Sequence, residues 1–443
     1  MESARASQPV AGATAEEASA TPIRKRALFA WCLYDWANSG FPTVITTYVF
    51  AAYFAKSVAA SEVEGTSLWA YAISVAGLAV AFGSPILGAV ADQVGRRKPW
   101  VAVFSLLCIV ASLALWWVTP ETARVTFALI TVGLGYFAFE MAIVFYNAML
   151  PSLAPPAMLG RISGWGWGLG YVGGLLCLAL SLALVMPAVP PFGLDKAAFE
   201  PVRATSVLVA LWFAVFSLPF FFLVPDAPAS RVGAVAAVRN GLRTLASTLR
   251  HLRDHRQVAI YLLAHMIYTD GLNTLFAIGG IYVAVTFGMD FYEILLFGIA
   301  MNVTAAAGAF AFGWVDDRIG SKRTILIALA SIVVIGVGVV LATTKTQLWT
   351  LAIPLGLFIG PAQSASRSLM ARLAPATMVG EFFGLFALSG KATSFVGPAV
   401  FGLVTAATAN ERLGMATVLV FIAAGGLILL AVRDPRRTAA KAG

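Results

Sequence analysis

Tyr34-Asp35-Trp36-Ala37-Asn38-Ser39-Gly40-Phe41-Pro42 lies inside an apolar run over about 28–55. That run is long enough to cross a bilayer as a helix. An aspartate within it is costly in lipid, so Asp35 is expected to face protein or water. Asn38, three residues on, shares its helical face. Gly40 and Pro42 follow and loosen the helix by releasing backbone hydrogen bonds. The pattern returns as Tyr268-Thr269-Asp270-Gly271-Leu272-Asn273 in another apolar run. Two membrane helices, each with Asp-x-x-Asn near its middle, are expected to be brought together.

Composition agrees. Of 443 residues, 60% are hydrophobic and 12% charged, against about 25% charged in soluble domains. A single soluble core is excluded, and the chain reads as an all-α polytopic membrane protein. Twelve spanning runs are expected, at about 28–55, 67–91, 99–118, 125–149, 162–187, 205–225, 258–287, 291–314, 324–343, 348–373, 381–407 and 412–432. An even number puts both termini on one side. With the termini in the cytoplasm, the inner segments carry Arg96, Arg97, Lys98, the arginines of 231–256 and those of 433–437. The outer loops keep only Lys56, Arg124, Lys196, Arg203, Lys345 and Arg412. This positive-inside asymmetry sets the orientation in a bacterial inner or plasma membrane. It also accounts for the net charge of +9 without a nucleic-acid partner.

The expected organisation is a disordered cytoplasmic tail (1–27), a six-helix bundle (28–225), a cytoplasmic linker (226–257), a second six-helix bundle (258–432) and a basic tail (433–443). In the linker, Val235, Val238, Leu242, Leu245, Leu249 and Leu252 recur at alternating three and four spacing between arginines. That is a basic amphipathic helix, expected on the inner leaflet or under the bundle. The halves repeat. Leu153-Ala154-Pro155-Pro156-Ala157-Met158-Leu159-Gly160 echoes Leu373-Ala374-Pro375-Ala376-Thr377-Met378-Val379-Gly380, 220 residues on. Gly88-x-x-x-Asp92-x-x-Gly95 returns as Gly313-x-x-x-Asp317-x-x-Gly320. Six spans per half in the same orientation make parallel repeats about an axis along the membrane normal.

Six plus six helices with a basic middle loop resembles the major facilitator superfamily. The loop from Gly88 through Asp92 and Gly95 to Arg96, Arg97 and Lys98 looks like its signature between helices 2 and 3, and Gly313, Asp317 and Gly320 stand in the second copy. Gly88 would let helix 2 pack closely against the other half, and Gly95 permits a tight turn. Asp92 would meet a helix N-terminus or Arg96 in only one rocking state, which makes these residues a conformational gate. More narrowly, Tyr34-Asp35-Trp36-Ala37-Asn38-Ser39 resembles the hallmark of the vacuole-effluxer-like branch, which includes the fungal autophagy-related vacuolar amino-acid effluxer. Phe145-Tyr146-Asn147-Ala148-Met149-Leu150-Pro151, the stretch from Ser366 to Leu373 and Glu381-Phe382-Phe383-Gly384-Leu385-Phe386 carry the same resemblance.

Asp35, Glu140, Asp270, Arg367 and Lys391 all fall within spanning runs. The resemblance implies that helices 1, 4, 7 and 10 line a central cavity, which places four of the five there, with Lys391 on helix 11 beside them. With Asn38, Asn147 and Asn273 they form the candidate substrate and proton site. Carboxylates suit the amine of a zwitterion, and Arg367 or Lys391 its carboxylate. A desolvated carboxylate could instead carry a coupled proton. Some of these charges could also form permanent buried pairs, Asp270 with Lys391 being one candidate. Arg367 could snorkel to the inner surface. His265 reads as a satisfied packing histidine.

Gly168-x-Gly170-x-x-Gly173 fits a dinucleotide fingerprint, but no strand is expected before it. Gly166, Gly170 and Gly174 are expected to pack helix 5, against the other half. Cys32, Cys108 and Cys177 lie in separate runs without metal-ligand spacing. No cofactor, metal or enzymatic chemistry is expected. The sequence reads as a secondary transporter, expected to be a monomer, that moves a small polar or zwitterionic solute by alternating access. Amino acids are favoured by the resemblance, and protons are a candidate coupling ion. The rival is a receptor, scaffold or lipid-handling protein on a transporter fold.

Overall fold

A computed structural model of the protein describes residues 25–230, 232–250 and 254–433. The expected tails fall almost wholly outside these residues, except that Lys25, Arg26 and Ala27 already belong to the first helix. Every regular element among the described residues is helical.

The first span is Lys25–Asn38 continued by the wider-wound Phe41–Tyr48, the short helix Phe50–Tyr53 and Phe54–Val58. The next five are Glu62–Val94, Lys98–Ala114, Val125–Leu153, Leu159–Val185 and Glu200–Leu223. A linker helix, Ala234–Arg250, leads to Arg256–Phe287, Phe291–Ile319, Ser321–Leu341 and Lys345–Leu373 as the seventh to tenth spans. The eleventh is two helices, Val379–Lys391 and Val396–Thr408, and the twelfth is Glu411–Leu430. Among the described residues, eleven segments are long enough and apolar enough to cross a membrane. The first span is interrupted where Gly40 and Pro42 were expected to loosen it. Proline supplies no N–H, and the hydroxyls of Ser39, Thr43 and Thr46 bond back to the carbonyls of Asp35, Ser39 and Pro42 at 2.7–2.9 Å, adding side-chain hydrogen bonds where the backbone ones are long or displaced.

Local chemistry sets the other ends. Asp290 with Glu293 and Thr344 with Gln347 form capping boxes at the starts of the eighth and tenth spans. Gly95 and Gly320 turn the chain at φ +84° and +93°, conformations that side chains resist. Lys98 donates to the carbonyls of Phe221 and Val224, and Lys322 to those of Leu430 and Val432, so each half closes its last span with the same lysine.

The molecule is apolar outside and polar within. Phe82, Val334 and Leu427 stand exposed on spanning helices, while Asp35, Asp270, Arg367 and Glu381 are buried. Lipid asks nothing polar of the outer surface, so polar side chains collect where protein can satisfy them. The spans alternate in direction, which puts the ends near Lys25, Val94, Leu153, Leu159, Arg256, Ile319, Leu373 and Val379 on the face that carries the linker helix. We call this the linker side.

The linker helix lies against the bundle, one of its two expected placements, but mostly through other residues than the apolar stripe. Its small side packs on the second span: a Cβ on Gly241 would lie 2.9 Å from the Val90 nitrogen. Ala237, Leu245 and Thr248 are buried, whereas Val235, Val238 and Leu242 are exposed. Periodicity identified the apolar stripe, but close approach of two backbones selected the small residues instead.

Candidate functional site

The two halves meet along a seam on the linker side, and its lowest layer is built from glycines and aspartates. A Cβ on Gly88 would lie 2.2 Å from the Gly380 carbonyl oxygen, and one on Gly384 would lie 2.3 Å from that of Ser84. The second and eleventh spans therefore touch backbone to backbone. The fifth and eighth do the same, since a Cβ on Gly164 would meet the Ala309 oxygen at 2.4 Å and one on Gly313 the Arg161 Cα at 2.8 Å. Asp92 accepts the Gly380 and Glu381 N–H groups at 2.9 and 2.8 Å. Asp317 accepts the Gly160 N–H at 2.9 Å. Each aspartate thus caps the N-terminus of a helix from the opposite half, satisfying free N–H groups and meeting the positive end of the dipole.

The next layer joins the first span to the tenth. The Arg367 side chain is 3% exposed. Its Nη1 donates to Asp35 at 2.9 Å and to Asn147 at 3.1 Å. Its Nε and Nη2 donate to the hydroxyl and carbonyl of Ser163 at 2.9 and 2.7 Å. Trp31 lies under the guanidinium at 4.8 Å and stacks on Tyr146 at 4.3 Å. A buried charge is tolerable only when its donors are satisfied. Here every nitrogen of the guanidinium has a partner, so the cation is held rather than offered.

Higher in the bundle, Lys391 of the eleventh span donates to Glu140 at 2.7 Å and Tyr136 at 2.9 Å on the fourth. This pair also bridges the halves, but its side chains keep 23% and 16% of their exposure. Just beyond Lys391 the eleventh span breaks into turns at 392–395. Asp270 meets the new helix there, accepting the Gly397 N–H at 3.1 Å. Asn273 donates to the Gly390 carbonyl at 3.4 Å, on the near side of the break. Asn38 Nδ2 and Trp167 Nε1 are buried without a partner.

This architecture has known counterparts. Residues 54–442 match the family described as "Vacuole effluxer Atg22 like". The chain belongs to that family. A Bacillus subtilis relative, the uncharacterised MFS-type transporter YxiO, is 26% identical over 92% of this chain and 95% of its own. Autophagy-related protein 22 of Cryptococcus neoformans is 27% identical over 59% of this chain, which spans only 48% of that longer protein. Among solved structures, the Escherichia coli fucose:proton symporter FucP superposes with a TM-score of 0.71 at 12% identity, over 93% of this chain and 99% of the other. That likeness establishes the twelve-helix major facilitator fold. Family and fold are those of membrane transporters, not of enzymes.

For this Atg22-family member, several expectations need correction. The Asp-x-x-Asn motifs do not meet: no hydrogen bond or ion pair joins them among the described residues. Of the glycines expected to pack the fifth span on the other half, Gly170 and Gly174 pack instead on Ser39 and Thr43 of the first span, while Gly166 meets both Asp35 and, across the halves, Arg367. It is the interleaved Gly164 and Gly168 that face the eighth span, at Ala309 and Phe310. Lys391 pairs with Glu140 rather than Asp270, which lies beyond the break and engages backbone instead. Arg97, not Arg96, pairs with Asp92, at 3.0 Å. The turn at Gly95 brings the second arginine back over the helix end and leaves Arg96 exposed. Arg367 does not snorkel. His265 does pack as expected, bonded to Ser389 at 2.7 Å and against Phe386. Sequence reasoning missed Ser163, Trp31 and Tyr136. Only Tyr136 left a signal, one helical turn before Glu140.

Proposed function

We propose that this chain is a secondary active transporter that moves a small zwitterionic solute, amino acids foremost, by rocking residues 28–225 against 258–432. The observation that carries the reading is the Lys391–Glu140 pair. It joins the halves about 18 Å from the linker-side start of the eleventh span, at 1.5 Å per residue, and is partly exposed. A zwitterion brings one charge for each partner. Its ammonium would take Glu140 and its carboxylate Lys391, replacing one ion pair by two with little change in desolvation. Asn38 and Asn273 supply further hydrogen bonds. Arg367 with Asp35, Asn147 and Ser163 acts as an inter-half lock beneath the site, and Gly88, Asp92, Gly95, Gly313, Asp317 and Gly320 act as its gate. The positive-inside bias supports a cytoplasmic linker side, so the described conformation is closed to the cytoplasm. Asp35 and Asp270 are the candidate carriers of a coupled proton, and one chain suffices for the whole site.

The test is a thermal-shift screen of the purified protein against amino acids, small peptides, sugars and nucleosides at two pH values. A ligand of the folded state stabilises it by mass action. Amino acids should raise the midpoint, and Glu140→Gln should abolish that shift. A response confined to sugars or nucleosides would remove the zwitterion clamp.

A further inference from the structure

The two arms of the linker-side seam are built alike and charged differently. Residues 160–161 and 380–381 correspond under the 220-residue repeat. In one arm the second position is Arg161, whose Nε donates to Asp317 at 2.5 Å across the halves. In the other it is Glu381, and the aspartate that accepts its N–H is Asp92. An acid thus stands where the twin arm has the base that completes an ion pair.

Among the described residues, nothing around Glu381 replaces that base. The residue is 1% exposed, and among the described residues it forms no ion pair and its Oε1 has no hydrogen-bond partner. In the turn after the second span, Arg97 is engaged by Asp92. On the linker helix the facing polar group is Thr248, while Arg250 is exposed. The Thr248 hydroxyl reaches the Thr244 carbonyl at 3.1 Å, and with its hydrogen placed there it can accept one from Glu381. From the start of the seventh span, His255 presents its ring to Phe382. Further along the eleventh span, Lys391 is paired with Glu140 of the fourth. A carboxylate here would be a second buried anion beside Asp92 without a counter-ion, whereas a carboxylic acid can donate to Thr248.

We propose that Glu381 is a proton-binding site of the closed seam. It holds one proton while the second and eleventh spans are in contact and releases it to linker-side water when they part. The proton leaves and returns on the same face, so none is carried across the membrane. Since the closed state binds the extra proton, a fall in linker-side pH closes the seam and a rise opens it, by up to about tenfold in population per pH unit. This inference does not rest on the identity of the solute.

The experiment uses the full chain in lipid nanodiscs, with spin labels at Ala227→Cys, in the stretch after the sixth span whose Pro228 packs on Gly95 of the first half, and at Thr377→Cys of the second half, both exposed on the linker side. The distance distribution is recorded from low to high pH, alongside the carboxylic-acid infrared band. The expected result is a shift toward longer distances as pH rises, with Glu381→Gln held closed throughout and lacking part of the band. Thr248→Val, a milder change, should shift the band and move the midpoint of the distance change. A Glu381→Gln protein that keeps the full pH response, or a band unaltered by both substitutions, would overturn the proposal.

Discussion

Replacing Gly88 with valine should open the linker-side seam without unfolding either half. A Cβ at this position would lie 2.2 Å from the Gly380 oxygen and 2.7 Å from its carbon. Ordinary contact begins near 3.4 Å, so the second and eleventh spans must separate by about 1 Å, and valine adds two methyl groups beyond the Cβ. Both contacts are to backbone, so no side chain can rotate away. Overpacking of this kind costs about 1–3 kcal/mol, and the penalty falls on the closed conformation alone, because Gly88 faces Gly380 only there. At 1.4 kcal/mol per tenfold, the closed population falls between about fivefold and a hundredfold relative to the open one. Separation would also draw Asp92 from the Gly380 and Glu381 N–H groups, removing the helix cap. Spin labels at Ala227→Cys and Thr377→Cys should report a longer mean distance at constant pH, and the protein should still elute as a folded species. An unchanged distance distribution would refute the reasoning, since it would mean that the backbone contact does not hold the seam shut.

Asp35→Asn should destabilise the protein by about 3–5 kcal/mol in thermal or denaturant unfolding, because Arg367 would be left buried without its counter-ion. Arg367→Gln added to it should recover part of that loss, and strict additivity would deny the coupling. Asp270→Ala should cost about 0.5–2 kcal/mol as a lost helix cap, read as faster hydrogen exchange at Gly397; unchanged exchange would show that the 3.1 Å contact does not protect that amide. Gly397→Ala should be worse tolerated than Gly402→Ala, because its Cβ would meet Thr274 Oγ1 at 2.1 Å while Gly402 faces open space. Comparable unfolding midpoints for these two variants would argue against close packing of the seventh and eleventh spans.

The sequence by itself determined the class of fold. Apolar runs of bilayer length, a parallel repeat and an excess of cations in alternate loops are properties of the chain taken a few residues at a time, and lipid turns them into helices and their alternation. The glycines and aspartates of the linker-side seam were legible for the same reason, since they recur at one spacing in both halves. Partnership among the buried charges was not. Whether Lys391 meets Glu140 or Asp270 depends on where the eleventh span unwinds, and residues 392–395 carry no proline to announce it. Which glycines of the fifth span face the first and which face the eighth turns on a rotation about the helix axis, because both sets are spaced at about one turn. The exposure of Val235, Val238 and Leu242 turns on how closely two backbones approach at Gly241. Local patterns fix what each helix is. Only the packed bundle decides which of its faces meets which neighbour, because buried polar atoms must find partners together rather than one at a time.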